Sequence, residues 1–225
     1  MASGDKTNKI MMTKKQALLD IGGSLGNPSK MPGFSYGIPA RTHCNVGGKL
    51  AEVEGSVCFG CYADNKNNYA YSSVKTAQAR RLKSLEDLET WKTSMVFLID
   101  RECTRSNEFY FRWHDSGDIQ SLEHLEAIIW IAKELPHIKF WIPSKEYQLK
   151  NKHSVLPANL ILRWSHPMIN AIFAPGKYQH TSSVLKADKL DKAQSLCPAP
   201  QQENSCGDCR KCWDKSIIDI TYKYH

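Results

Sequence analysis

The hydrophobic pattern changes period part-way along the chain. Before residue 103 the apolar positions recur every three or four residues. Leu88, Trp91, Met95, Leu98 and Ile99 form the clearest series, with the spacing of one face of an α-helix. The pattern predicts helices over residues 71–82 and 85–103 and a shorter one over residues 14–20. From residue 109, short aromatic and β-branched runs take over. Residues 109–113 (Phe-Tyr-Phe-Arg-Trp) read as a strand, as do 139–142 and 160–164, with a weaker strand at 181–185. Between the first two, Ser121 caps a helix whose buried stripe is Leu122, Leu125, Ile128, Ile129, Ala132 and Leu135, and Pro136 ends it. Another helical stretch is expected from Tyr147.

Strands alternating with helices across short turns predict an α/β fold with mostly parallel strands and crossover connections. At 225 residues the chain is short for a complete eight-fold barrel that also carries cysteine modules. The expected architecture is therefore a partial or irregular (β/α) barrel with a C-terminal cysteine-rich metal module. Residues 1–30 form a polar N-terminal extension, 31–196 the α/β domain, and 197–225 a cysteine cluster packed on it. Residues 31–66 are rich in Gly, Pro and Asn and read as one long loop, which needs something to organise it.

The cysteines supply that organiser. Seven of the eight fall into two groups, Cys44, Cys58 and Cys61 spaced x13 and x2, and Cys197, Cys206, Cys209 and Cys212 spaced x8, x2 and x2. Overlapping Cys-x2-Cys pairs cannot all reach disulfide geometry with one another, but all can point at one metal centre. Three ligands predict an open site and four a closed one. Successive x2 spacings and Cys197-Pro198 favour iron–sulfur clusters, two of the [4Fe–4S] type, with zinc as the alternative occupant. Cys58 and Cys61 could instead join His43 in a zinc site, and Cys103 reads as a buried helix residue.

Composition narrows the class. A hydrophobic content of 41% and a charged content of 24% belong to a globular chain. The longest apolar run, 127–132, is too short to span a membrane, and the first twenty residues lack a signal-peptide core. The expectation is a cytoplasmic protein with reduced thiols and no membrane partner. The formal charge of +7 falls to about +4 once two clusters with their thiolates are counted, so most Lys and Arg residues read as a solvated surface rather than a nucleic-acid patch.

Three predicted strands end in polar groups: His114-Asp115-Ser116-Gly117-Asp118, Ser144-Lys145-Glu146 and Ser165-His166. In α/β folds ligands bind at the carboxyl ends of strands, so these turns should converge. His114, Asp115 and Glu146 are the candidates for proton handling or substrate binding.

Several stretches carry a resemblance. Met31-Pro32-Gly33, residues 35–40 (Ser-Tyr-Gly-Ile-Pro-Ala), residues 55–63 (Gly-Ser-Val-Cys-Phe-Gly-Cys-Tyr-Ala), residues 111–118 and the tail 206–213 resemble the bacteriophage gene product 88 family. That resemblance spans about residues 31–213 and implies a phage or prophage origin, hence the host cytoplasm. The layout is also similar to radical S-adenosylmethionine enzymes. Those hold a [4Fe–4S] cluster on three cysteines early in a (β/α) barrel and end the next strand in a turn that binds the cofactor amine. The spacing there is Cys-x3-Cys-x2-Cys, whereas here it is Cys-x13-Cys-x2-Cys. This likeness implies S-adenosylmethionine as cofactor, held at the turn Ser116-Gly117-Asp118, Gly117 through close backbone approach and Asp118 as an acceptor, with an electron donor as partner and a small-molecule, nucleotide or macromolecular substrate. The alternative is a non-catalytic phage module, stabilised by zinc or a cluster, that binds nucleic acid or a host protein.

Overall fold

In a computed structural model, residues 12–64 and 67–224 are described. Six strands form one parallel sheet whose spatial order is the chain order: β1 (Phe34–Tyr36), β2 (Tyr110–Trp113), β3 (Lys139–Ser144), β4 (Leu160–Ser165), β5 (Thr181–Leu185) and β6 (Asp219–Lys223). The parallel α/β character is as expected. The sheet is open: β1 pairs with β2 and β6 with β5, and no ladder joins the two ends among the described residues.

Helices α1 (Lys14–Asp20), α3 (Ser72–Ser84), α4 (Leu88–Ser106) and α5 (Leu122–Glu134) match the hydrophobic periodicity. Their ends are set by local chemistry. Asp87 accepts from Thr90 N at 3.1 Å and Ser121 accepts from His124 N at 3.1 Å, while Asn107 ends α4 in the left-handed conformation. Two elements lie inside the predicted long loop, β1 and the six-residue α2 (Asn45–Leu50), and β6 was not expected at all. The expected helix near residue 147 is a single 3-10 turn, Tyr147–Leu149. The following residues 150–158 (Lys-Asn-Lys-His-Ser-Val-Leu-Pro-Ala) have no apolar stripe to bury. The β3–β4 crossover therefore carries no α-helix.

The two faces of the sheet differ. On one, Phe34, Tyr36, Phe111, Trp113, Phe140, Ile142, Leu160 and Leu162 pack under α1, α4 and α5 as the core. Tyr36 sits at its centre, donating its hydroxyl to Ile21 O at 2.8 Å and accepting from Trp91 Nε1 at 3.2 Å. The opposite face presents Ser35, Arg112 and Trp141 in lateral register, with Arg163 further along. It is covered by the segment between β5 and β6, which carries the second cysteine group. Trp213 anchors that segment, donating to Phe111 O at 3.0 Å and packing edge-on against Tyr110 and Trp141 with ring centroids 5.3 Å away. Because β6 follows that segment and belongs to the same sheet, the described residues show no C-terminal module set apart from the rest.

Candidate functional site

The first cysteine loop is built by short polar contacts. Cys44 occupies the N-cap position of α2 but gives no side-chain cap, so its thiol is not committed to the helix. Ser56, fully buried, donates to Leu50 O at 2.6 Å and accepts from Cys58 N and Phe59 N at 3.3 and 3.0 Å. That bond set shapes the turn in which Cys61 N reaches Cys58 O at 3.1 Å. Gly47 lies under both first thiols: a Cβ there would sit 3.1 Å from Cys44 Cβ and 3.5 Å from Cys58 Sγ. Burial pushes the Cys44 thiol up to about 12, with the Asp118 carboxylate, Cys58 and Cys61 adding to it. Burial also raises Cys58, and the neighbouring Lys145 ammonium offsets part of that rise.

The ends of three strands meet this loop. After β2, Gln120 Nε2 donates to His43 O at 2.7 Å. After β3, the fully buried Glu146 accepts from Val46 N, in the first turn of α2, at 3.2 Å and from Gln148 Nε2 at 2.5 Å. After β4, Pro167 O accepts from Val57 N at 2.9 Å. Asp118 lies inside this convergence, accepting from Ile119 N at 2.8 Å and Lys145 N at 2.9 Å. Burial raises its carboxyl to about 6, partly offset by its hydrogen bonds to Lys145, Ser144 and Ile119, and Glu146 raises it further.

The other strand-end residues make contacts within the chain. Ser116 Oγ donates to Ile38 O at 2.9 Å and accepts from Gln78 Nε2 at 2.6 Å. Gly117 has φ +79°, and a Cβ there would come within 2.4 Å of Ile38 Cγ1. The close backbone approach it permits is to residues 38 and 39. Asp115 Oδ2 accepts from Ser35 Oγ at 3.2 Å, and its carbonyl accepts from Tyr62 Oη at 2.8 Å and Tyr69 Oη at 3.4 Å.

His114 has φ +56°, and its ring lies buried against His124 and Trp113, both nitrogens without a partner among the described residues. Burial holds it well below the ordinary imidazole range, with His124 and Arg112 adding, and burial lowers His124 to about 3. Both imidazoles are thus neutral in the fold and take up protons only on unfolding. Their contribution to stability is complete above the unfolded value near pH 6.5 and is lost as pH falls from there towards the folded values. Denaturant unfolding is expected to show stability falling by up to about 1.4 kcal/mol per pH unit for each histidine below that point. The fall should be shallower in His124→Leu, and an unchanged profile in that variant would contradict the assignment.

The second group lies across the sheet. Cys197 N donates to Thr221 O, and Cys206 N to Lys30 O, each at 2.8 Å. Cys212 Sγ lies 3.4 Å from the Tyr222 hydroxyl. Burial raises Cys197 and Cys206, and raises Cys212 to about 11. In each group the cysteine neighbours that raise a thiol further belong to that same group. Cys103 is buried in the core on α4. Among the described residues no group of three or more His, Cys, Asp and Glu side chains stands at the spacing of a single metal ion.

Arg163 holds the second group's segment in place. Fully buried on β4, it donates to the carbonyls of Lys211, Cys212, Asp214, Ile217 and Ile218 at 2.8–3.3 Å. The pattern of polar strand ends does not point to Arg163, Gln78, Tyr62 or Tyr69, while Lys145 belongs to the strand-end group after β3. Arg163 interrupts an otherwise apolar strand, Leu-Ile-Leu-Arg-Trp, and that was its available signal. A family model described as Gene product 88 matches residues 5–215. No curated protein and no solved structure matches the chain.

Proposed function

The chain belongs to the phage gene product 88 family, and we propose that within this fold it is an iron–sulfur enzyme. In this reading Cys44, Cys58 and Cys61 hold an open cluster, and Cys197, Cys206, Cys209 and Cys212 hold a second one. The observation that carries the reading is the convergence of the turns after β2, β3 and β4 on the first cysteine loop. Loops beyond the carboxyl ends of parallel strands are where α/β enzymes place their chemistry.

The donor chemistry suits such a group, although the side chains of the described residues do not stand at the spacing of a single metal ion. The donors are thiols, the thiophilic choice. Cys44 and Cys58 face one another over a glycine whose missing Cβ leaves them room. Cys44 and Cys58 are half-buried, and the Asp118 carboxylate and Cys61 oppose the ionisation of both; a bound cation would relieve that opposition. When bound, a cluster of this kind supplies electrons and an open iron to a cofactor such as S-adenosylmethionine.

The chain's own groups have separable roles. Glu146 and Gln120 fix the loop. Lys145 offsets thiolate charge at Cys58. Asp118 has acceptor capacity left after its two backbone bonds and can hold an ammonium group. Ser116 and Gly117 keep the turn in place. The second reading, a metal-stabilised module without catalysis, draws support from the C-terminal group, which Arg163 ties into the fold as a structural element.

Iron, sulfide and zinc analysis after anaerobic purification separates the two. Iron and sulfide in near-equal amounts support the enzyme, and zinc alone supports the module. With the iron-replete protein, calorimetric titration with S-adenosylmethionine should give binding that Asp118→Asn weakens by roughly tenfold or more, the worth of one charge-assisted hydrogen bond. An iron-replete wild type that binds no S-adenosylmethionine would remove the radical-enzyme form of the proposal.

A further inference from the structure

Two arginines occupy the same face of the sheet in opposite circumstances. Arg163 is satisfied by five carbonyls. Arg112, on β2, has no hydrogen-bond or ion-pair partner for its guanidinium among the described residues, and its Nε is fully buried. A guanidinium carries five N–H donors and is always charged. Leaving the buried Nε donor unpaired is costly unless something else supplies the acceptor.

The surroundings are arranged for that acceptor. Arg112 lies over the Trp141 ring, 4.8 Å from its centroid. Trp141 is only 6% exposed, and its Nε1 donor also has no partner. Tyr62 and Tyr69 from the first cysteine loop and Tyr222 from β6 face the guanidinium. Asp115 faces it too but stays beyond ion-pair distance, its Oδ2 held by Ser35 and its Oδ1 buried without a partner. The charge of Arg112 also reaches Cys206 and Cys212. Unfilled donors therefore stand between the two cysteine groups. Arg112 itself is only partly buried, so the place can be reached from solvent.

We propose that Arg112 and Trp141 form an oxyanion site that binds a carboxylate or phosphate group of the substrate. The site rests on geometry independent of any metal. It deepens the proposed function by naming the substrate class, an anion held on the sheet face between the two cysteine groups. The free Oδ1 of Asp115 favours a ligand that brings a hydrogen-bond donor beside its anionic group.

The test uses the full chain with inorganic phosphate and with acetate as ligands, read by calorimetry, tryptophan fluorescence and melting temperature. One of the two ions is expected to bind, to change the fluorescence and to raise the melting temperature of the wild type. Preference between them tells phosphate from carboxylate. Arg112→Gln should weaken binding roughly tenfold or more and abolish the thermal shift. The melting temperature of the ligand-free variant is the control for the packing against Trp141 that the substitution also removes. Arg112→Lys keeps the charge but loses the planar fork, and should fall between. Failure of the wild type to bind either ion, or equal binding by Arg112→Gln, overturns the proposal. So does loss of metal from the second cysteine group in Arg112→Gln with anion binding intact, because the guanidinium then serves the thiolates. None of these results depends on S-adenosylmethionine, so the site and the enzyme reading can fail separately.

Discussion

Replacing Arg163 by leucine is expected to lower the free energy of unfolding by about 3 kcal/mol or more, since each buried acceptor left without its donor costs about 1–3 kcal/mol. The side chain is fully buried and has no carboxylate among its hydrogen-bond partners. Its charge is balanced by the dipoles of five carbonyls between residues 211 and 218. Leucine returns some apolar contact but leaves those carbonyls without their donor. Lysine should rescue little, because a point charge cannot fan out to five acceptors as the guanidinium does. Denaturant unfolding measures the loss, and amide exchange should place the loosening in residues 211–218. A variant within about 1 kcal/mol of the wild type would mean that water satisfies these carbonyls as well as Arg163 does.

The second large effect is an asymmetry between the cysteine groups. Cys206→Ala should cost soluble yield and melting temperature as well as metal. The segment it belongs to covers Arg163 and packs through Trp213 on Tyr110 and Trp141, and metal binding free energy in such sites is folding free energy. Structural zinc sites in peptides are worth about 10–16 kcal/mol, so losing even part of such a term is large against a typical total stability of about 5–15 kcal/mol. Cys44→Ala should abolish cofactor binding with a smaller loss of stability. Its loop is also held by Glu146, Gln120 and Pro167, and those contacts do not need the thiol. Metal content, melting temperature and S-adenosylmethionine binding of the two variants, measured side by side, decide it. Equal losses of stability would make both groups structural.

What could be read from the sequence was what repeats. The helices α1, α3, α4 and α5 and the strands β2 to β5 show their faces through spacing, and their caps at Asp87 and Ser121 are local. β1 has no sequence signature because it is three residues long and its order comes from pairing with β2, 77 residues away. α2 reads Asn-Val-Gly-Gly-Lys-Leu, a poor helix former, and it is held at its start by Glu146 from a distant turn. β6 alternates correctly but follows a cysteine-rich stretch that drew attention elsewhere. At the site, the convergence of strand ends followed from the parallel sheet. The direction of each side chain did not. His114 looks like a catalytic residue in a string of titratable groups, yet the left-handed backbone there sends its ring into the core. Arg112 sits in the same string of letters and was passed over. Only the register of β2 with β3 shows that it shares a face with Trp141.

Because the strands lie in chain order, a growing polypeptide can add each strand to the edge left by the one before. Assembly can therefore follow synthesis. The exception is the face that bears Arg163. Its guanidinium is made 48–55 residues ahead of the carbonyls that will receive it. Until residues 211–218 leave the ribosome, the partial sheet carries a hydrated charge on one face and an unpaired edge at β5. Its last maturation step is then the laying down of the cysteine-bearing segment over that charge, with the helical side already in place. A chain stalled before residue 211 should be the species that needs a chaperone, since an open strand edge invites pairing with other chains.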